Sequence, residues 1–283
     1  MTIAEALRDA AARLAATSDT ARLDAELLMA HALGVSRSDL LLRHMSDVPP
    51  PHFAALAARR LEHEPLAYIT GQQEFFGLPL RVTHDTLIPR ADSEVLVEAA
   101  LAARPGAARV LDCGTGTGAL LLAVLAGLPA AQGVGIERSA AALEVARANA
   151  AALGLAQRAA LHQADWTLPG WAGGLGQFDL VLANPPYVED EAELAASVRA
   201  YEPAEALFAG PEGLDAYRVL VPQLPALLAP GGLALIEIGH TQADAVTEIA
   251  RAAGLEAELH RDLGGRPRAL ALQIPLGKAA ASA

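Results

Sequence analysis

From Asp92 onward the sequence switches between two apolar periods, and that alternation limits the architectures open to it. Short apolar runs near 109–112, 133–137, 159–163, 178–183 and 232–237 read as strands, and the stretches between them carry apolar residues at helical spacing. Strands separated by helices return parallel to one another, so the pattern predicts a parallel sheet with helices on both faces. The last two strands break the rule. Leu255–Leu259 and Arg268–Ile274 are joined across a Gly264-Gly265 turn too short for a crossover, so they must pair antiparallel. A helix capped by Asp92 or Ser93 and running through Ala103 opens the region.

The preceding residues have a different grammar. Ala4–Leu14, Thr20–Leu33, Ser38–Arg43 and His52–Glu62 carry apolar residues at helical spacing, with Asp19-Thr20 and Ser36 to Ser38 as caps. Gly34 and Pro49-Pro50-Pro51 mark the breaks. Gln72 to Leu87 reads as a strand pair turning near Gly77-Leu78-Pro79. The expected organisation is a small helical bundle over 1–70, a β-hairpin linker over 71–88 and an α/β domain over 89–283. The α/β domain carries a seven-stranded sheet that ends in the antiparallel hairpin. Lys278 to Ala283 reads as a frayed end.

Composition narrows the function classes. Hydrophobic residues make up 53% of the chain, yet no apolar run is long enough to span a bilayer. The longest, Ala119 to Ala131, is interrupted by Gly127 and Pro129 and reads as a buried helix and its end. Glu5, Arg8 and Asp9 in the first turns do not suit a secretory signal. Cys113 is the only cysteine, so no intrachain disulfide forms and a reducing cytoplasm fits. The histidines His31, His44, His52, His63 and His84 are scattered and make no metal-ligand spacing. The net charge of −12 opposes a nucleic-acid substrate, because binding a phosphate backbone rests on basic residues. Glu189, Asp190, Glu191 and Glu193 sharpen the point and also read as an acidic helix start.

The segment Arg109 to Gly118 reads as a strand, a glycine loop and the entry to a helix that runs through Leu125. Glycines let the backbone turn tightly and approach a ligand, and the helix start behind them presents free N–H groups. Asp112 puts a carboxylate beside the loop, repelling a phosphate and favouring an ammonium. About twenty residues on, the next strand ends in Glu137, suitably placed for ribose hydroxyls. The spacing Gly114, Gly116, Ala119 also satisfies the looser dinucleotide pattern, so a nicotinamide or flavin competes.

A later strand, Phe178 to Ala183, runs into Asn184-Pro185-Pro186-Tyr187. Two prolines end the ladder and keep the backbone extended, leaving Asn184 at the carboxyl end of its strand. The Asn184 side-chain carbonyl and the Pro185 backbone carbonyl are two adjacent acceptors for the hydrogens of one planar NH₂ group. Tyr187 supplies a flat face for stacking. Such a site suits an amide or exocyclic amine nitrogen about to be alkylated. Glycine loop, Asp112, Glu137 and NPPY in chain order, with the antiparallel tail, point to S-adenosyl-L-methionine (SAM) and to a Rossmann-like, SAM-dependent methyltransferase fold.

Over nearly its whole length the chain resembles the bacterial HemK/PrmC family, the peptide chain release factor N(5)-glutamine methyltransferases. The resemblance is carried by Pro65 with Tyr68-Ile69-Thr70-Gly71, Glu74-Phe75-Phe76-Gly77-Leu78 and Ile88-Pro89-Arg90-Ala91-Asp92-Ser93-Glu94. It continues through Asp165-Trp166, NPPY, Tyr201-Glu202-Pro203 with Ala206-Leu207-Phe208, and Gly213-Leu214-Asp215. It closes with Glu237-Ile238-Gly239 and Arg261-Asp262-Leu263-Gly264-Gly265-Arg266. The resemblance implies that Gly114, Thr115, Gly116, Thr117 and Gly118 wrap the methionine half of SAM. It implies that Glu137 binds the ribose, that Asp165 and Trp166 border the adenine, and that Asn184 to Tyr187 hold the substrate amide. Ala91 and Ser93 stand where relatives often have Pro and Thr.

It further implies methyl transfer to the glutamine of the Gly-Gly-Gln motif in class 1 peptide chain release factors, leaving S-adenosyl-L-homocysteine. The partners would be those release factors, with no direct nucleic acid and no membrane. The 1–70 bundle has no chemistry of its own and is expected to dock the substrate protein. Two alternatives share the NPPY site: a glutamine methyltransferase of a ribosomal protein, and a DNA adenine methyltransferase, which should show a basic groove that this sequence lacks.

Overall fold

The computed structural model describes residues 1–275, so the Lys278 to Ala283 tail lies outside the described residues. The chain forms two compact units. One comprises Met1–Gln72 together with Leu194–Glu202, and the other comprises Gln73–Glu193 and the chain from Pro203 onward.

The first unit is helical, with Ile3–Leu14, Ala21–Leu33, Phe53–Leu61 and Leu66–Thr70 as its main α-helices. A capping box starts the first: the Thr2 hydroxyl accepts from the Glu5 N–H, and Glu5 Oε2 accepts from the Thr2 N–H at 2.8 Å. Ile3, Leu7, Leu14, Leu28, Met29 and Leu40 form the core and are fully buried. Ser36 caps the short turn Arg37–Asp39 as expected, accepting from the Asp39 N–H, and the chain then widens into a π-turn at Leu40–His44. Thr20 does not act as a capping side chain. Its hydroxyl donates instead to the buried Asp24 carboxylate, which also receives Ser18 and pairs with Arg60 at 2.7 Å. The helix Leu66–Thr70 escaped the sequence reading because it is a single turn between Pro65 and Gly71, too short to show a period.

The second unit begins with a two-stranded sheet, β1 (Gln72–Phe75) and β2 (Leu78–Arg81). The turn is Phe76-Gly77, one step earlier than expected, and Leu78 and Pro79 already belong to β2. Both turn residues are left-handed (φ 50° and 74°), as a two-residue hairpin requires. Two carboxylates hold this geometry. Glu94 accepts from the Phe76 N–H and Glu74 from the Gly77 N–H, each at 2.9 Å.

The large sheet contains β3 (Arg109–Cys113), β4 (Gln132–Glu137), β5 (Ala159–Gln163), β6 (Phe178–Ala183), β7 (Leu228–Glu237), β8 (Glu256–Arg261) and β9 (Pro267–Gln273). Its order is β5-β4-β3-β6-β7-β9-β8, with β9 antiparallel to both β7 and β8 and the remaining pairs parallel. This is the expected seven-stranded α/β sheet with an antiparallel tail. Alternation along the central strands divides the core into two layers. Leu180, Leu182, Leu233 and Leu235 face one layer, and Val181, Ala183, Ala234 and Ile236 face the other. The helix Ala119–Gly127 is apolar all round because it is buried all round, with Leu121, Leu122 and Leu125 fully covered.

Two local expectations are corrected. The helix Glu94–Ala103 follows a 3₁₀ turn at Ala91–Ser93, and the Ser93 side chain makes no cap. The acidic residues 189–193 do not start a helix. Val188 is bridged to Phe208, residues 189–192 close a single turn in which the Ala192 N–H donates to the Glu189 carbonyl, and the next helix begins only at Ala196.

The small sheet is tied to the glycine loop by one buried side chain. Asn149 accepts from the Arg81 N–H at 2.8 Å and donates to the Arg81 and Thr117 carbonyls at 3.0 and 2.9 Å. Asn149→Ala would strand three backbone groups and should lower the unfolding free energy by about 3 kcal/mol in denaturant titration. An unchanged midpoint would show that the tie carries no stability.

Candidate active site

The order of the sheet creates the site. β3 connects to β4 on one side and lies beside β6 on the other, so ligand space opens where the winding reverses. Cys113, the last residue of β3, is paired with Ala183, the last of β6. Gly114 and Asn184 therefore leave the sheet side by side. A cavity of about 430 Å³ lies there, within the usual size for a small-molecule site.

Asp112, Gly114, Thr115, Gly116 and Thr117 line the cavity from the glycine loop, Glu137 from the end of β4, and Asp165 and Trp166 from beyond β5. Gly114 (φ 81°) has the Trp166 ring against it, and a Cβ there would come within 2.8 Å of the indole. Gly118 is not on the cavity wall. It starts the following helix at φ 85°, with Leu122 packed where a side chain would go.

Asp112 is the most constrained charge in the site. It is 1% exposed, and its Oδ2 accepts from the Thr115 hydroxyl at 2.7 Å. Its Oδ1 is buried with no hydrogen-bond partner among the described residues. Burial pushes its pKa up to about 7, opposed by the Thr115 hydroxyl and assisted by the nearby Glu137. A buried acceptor without a donor, beside a glycine loop, is a fit for an ammonium group. Glu137 closes the loop from the next strand, accepting from the Gly116 N–H at 3.0 Å and the Ser139 N–H at 2.9 Å. Asp165 accepts from the Thr167 N–H and hydroxyl, and the Thr167 hydroxyl holds its pKa down.

Asn184 and Pro186 line the same cavity, whereas Pro185 and Tyr187 are not on its wall. Asn184 Nδ2 makes a long 3.5 Å contact to Ser93 Oγ, which directs its Oδ1 elsewhere. The Tyr187 hydroxyl donates to Glu237 Oε1 at 3.2 Å, and its ring packs onto the core layer beneath. Burial and the Glu237 charge push the Tyr187 pKa up, so it stays a donor. The strap is fastened from behind by Gln242, which donates to the Tyr187 carbonyl at 3.0 Å. Gly213 is needed here, since a Cβ would lie 2.3 Å from that same carbonyl oxygen.

Ser93 and Glu237 were not singled out from the sequence as site residues. Glu237 ends the apolar strand β7 much as Glu137 ends β4, and that repetition was the available signal. Ser93 carries no such mark, because the fold alone brings it to Asn184, 91 positions away.

Comparisons with known proteins agree with this geometry. Residues 5–71 match the model of the PrmC N-terminal domain, and residues 106–256 match a methyltransferase domain. A release factor glutamine methyltransferase of Cereibacter sphaeroides is 45% identical over 283 residues, covering 97% of this chain and 99% of the relative. One from Rhodospirillum rubrum is 44% identical, covering 88% and 78%. In fold, the chain is similar to a crystallised methyltransferase from Pyrococcus furiosus, with a TM-score of 0.53 at 17% identity, covering 77% of this chain and 98% of that one.

Sheet order, glycine loop and strand-end carboxylates thus define a SAM-dependent methyltransferase. With identity of this level along almost the full length, the chain belongs to the family of release factor glutamine methyltransferases. SAM is the cofactor, and the donor set fits it. Among the lining residues are a buried carboxylate oxygen without a partner on Asp112, a second carboxylate on Glu137 and the flat ring of Trp166.

Because Asp112 titrates near pH 7 when free and must be ionised to hold an ammonium, binding at lower pH requires release of its proton. The Kd for S-adenosyl-L-homocysteine should rise about tenfold per pH unit below 7. Asp112→Asn should weaken binding and flatten that dependence. Calorimetry at pH 5.5 to 8 checks both, and a slope unchanged by the substitution would remove Asp112 from cofactor recognition.

Proposed function

We propose that this protein transfers the SAM methyl group to the side-chain amide nitrogen of the glutamine in the Gly-Gly-Gln motif of class 1 peptide chain release factors. It would thereby support translation termination in the cytoplasm. One observation carries the amide reading: Asn184 stands on the cavity wall with Nδ2 engaged by Ser93, leaving Oδ1 as an acceptor. The choice of release factors over a ribosomal protein or DNA adenine rests on the relatives, which bear that activity in their names.

SAM supplies an electrophilic methyl on a sulfonium. The residues of this chain make the amide nitrogen able to receive it. That nitrogen is a poor nucleophile because its lone pair is spread into the carbonyl. As it bonds to carbon it pyramidalises and its hydrogens become acidic. Asn184 Oδ1, on the cavity wall, accepts one of those hydrogens and holds it more tightly in the transition state than before it. Alignment in a confined cavity supplies the rest. As the N–C bond forms, the methyl–sulfur bond would break to leave neutral S-adenosyl-L-homocysteine, and the proton that the nitrogen then gives up passes to water. Tyr187, with its hydroxyl on Glu237, keeps the strap that carries Asn184 in place.

A glutamine side chain is too common to select one protein, so specificity needs a second surface. We assign it to the helical bundle. Among its described residues Leu42 and Val48 are 80% and 82% exposed, large apolar side chains outside the bundle's own core.

Asn184→Ala should leave S-adenosyl-L-homocysteine affinity and melting temperature near wild type while kcat falls roughly a hundredfold, about 3 kcal/mol. Leu42→Glu with Val48→Glu should raise KM for an intact release factor and leave a short Gly-Gly-Gln peptide unaffected. Mass spectrometry of the methylated glutamine reads both. Full turnover by Asn184→Ala would overturn the amide reading, and equal losses on protein and peptide would overturn the docking assignment.

A further inference from the structure

Asn184 can act on an amide NH₂ only if its own carbonyl, and not its own NH₂, faces the cavity. The two ends of an Asn amide have the same shape, so sterics cannot choose between them, and hydrogen bonds must. The residue that touches its NH₂ end is Ser93. A serine hydroxyl is not selective by itself, since it can accept from Nδ2 or donate to Oδ1.

The selectivity comes from behind Ser93. Glu237 is 1% exposed and accepts a hydrogen bond from the Tyr187 hydroxyl on Oε1, while Oε2 is buried with no hydrogen-bond partner among the described residues. Ser93 is near enough to lower the Glu237 pKa, and Tyr187 does the same. An ionised carboxylate can only accept. We propose, on the reading that Asn184 binds the substrate amide, that Ser93 and Glu237 are positioning residues that set which way round the Asn184 amide stands. Glu237 Oε2, the carboxylate oxygen left without a partner, is the acceptor toward which the Ser93 hydroxyl turns its single hydrogen, and Ser93 Oγ is left able only to accept from Asn184. Asn184 must then present Nδ2 to Ser93 and Oδ1 to the incoming amide. The 3.5 Å contact is long, as catalytic hydrogen bonds commonly are before substrate arrives.

The charge state of Glu237 decides the outcome, and its surroundings are mixed. Ser93 and Asp92 face it from the turn before Glu94–Ala103, Tyr187 from the NPPY strap and Arg268 from β9. Tyr217 donates to its main-chain carbonyl at 3.0 Å. Arg268 is itself shared with Asp92 and Asp262 at 2.6 and 3.0 Å. Burial dominates and raises the Glu237 carboxyl to about 6, against the pull of Ser93, Tyr187 and Arg268. Above that pH the carboxylate accepts and Asn184 is held one way. Below it the protonated carboxyl can donate to Ser93 Oγ. The Ser93 proton is then free to turn to Asn184 Oδ1, and the reversed amide is admitted.

The test is the pH profile of kcat, taken with both substrates saturating so that Asp112 and cofactor affinity drop out. The wild type should lose turnover below about pH 6. Glu237→Gln carries a permanent donor, so it should be slowed at least ~tenfold at pH 8 and should lose the acid limb. Ser93→Ala should do the same, and Ser93→Thr should restore both rate and limb. All three should bind S-adenosyl-L-homocysteine as the wild type does.

In an Asn184→Ala background, Ser93→Ala should cost nothing further. An equal loss in that background would overturn the proposal, because the residues would then support the fold and not the amide. So would Ser93→Ala with wild-type kcat and an intact limb. If Asn184→Ala itself retains turnover, the underlying amide reading fails, which is a different result from either.

Discussion

The pairing of the last residue of β3 with the last residue of β6 is the constraint on which the rest of the site depends. It brings two segments of unrelated chemistry, glycine loop and proline strap, to the one place where the winding of the sheet reverses and no crossover helix covers the strand ends. The neighbouring strand is shaped to allow it. β4 carries Gly133 and Gly135, and at Gly135 a Cβ would meet Leu161 at 2.6 Å and Thr115 Oγ1 at 3.0 Å. A larger residue would push Thr115 off the position from which it reaches Asp112. The hydrogen bond that orients the deepest charge of the cavity is thus secured by a missing side chain on the next strand.

Three carboxylates, Asp112, Glu137 and Glu237, sit at or next to strand ends, and two of them are almost fully buried. Burial raises the pKa of Asp112 and of Glu237, and each keeps one oxygen without a hydrogen-bond partner among the described residues. For a carboxyl whose folded pKa lies above its unfolded value, the unfolded chain holds the charge more easily. The folded state therefore gains relative stability as pH falls through about 7 and 6 toward the ordinary carboxylate range. Holding both groups ionised at neutral pH opposes folding.

Much of this was readable in the sequence. The strands announce themselves because β3, β6 and the core of β7 are buried on both faces and carry the apolar runs Val110-Leu111, Leu180 to Ala183 and Leu233 to Ile236. Asp112, Gly114, Glu137 and Asn184 are legible because each stands at the end of such a run. What escaped are features set by distant contacts. Ser93 looks like a cap until the sheet brings it to Asn184. Phe76 gives no hint of its left-handed backbone, which two separate carboxylates hold. Gly118 looks like a cofactor contact and is a helix start. Tyr187 looks like a stacking face, yet its hydroxyl reaches back to Glu237 and its ring joins the core.

The least legible feature is the path of the chain after the strap. Leu194–Glu202 belongs to the helical unit although its neighbours on both sides belong to the sheet unit. It is anchored there, with the Tyr201 hydroxyl donating to the Glu62 carbonyl at 2.8 Å. Each end of this excursion leads straight to the cavity. Asn184 and Pro186 lie shortly before it, and Pro203, Glu205, Ala206 and Phe208 lie just after it. Before and after segments are also pinned together, since the Val188 N–H donates to the Leu207 carbonyl and the Ala209 N–H to the Val188 carbonyl. The helical unit is therefore joined to the catalytic unit three times, once through the hairpin and twice through the walls of the reacting cavity. A protein built only to carry a separate recognition domain would need the first connection alone. The other two put the segment that carries Asn184 and the segment that carries Tyr201 on one continuous stretch of backbone, closed at its base by the Val188–Phe208 bridge.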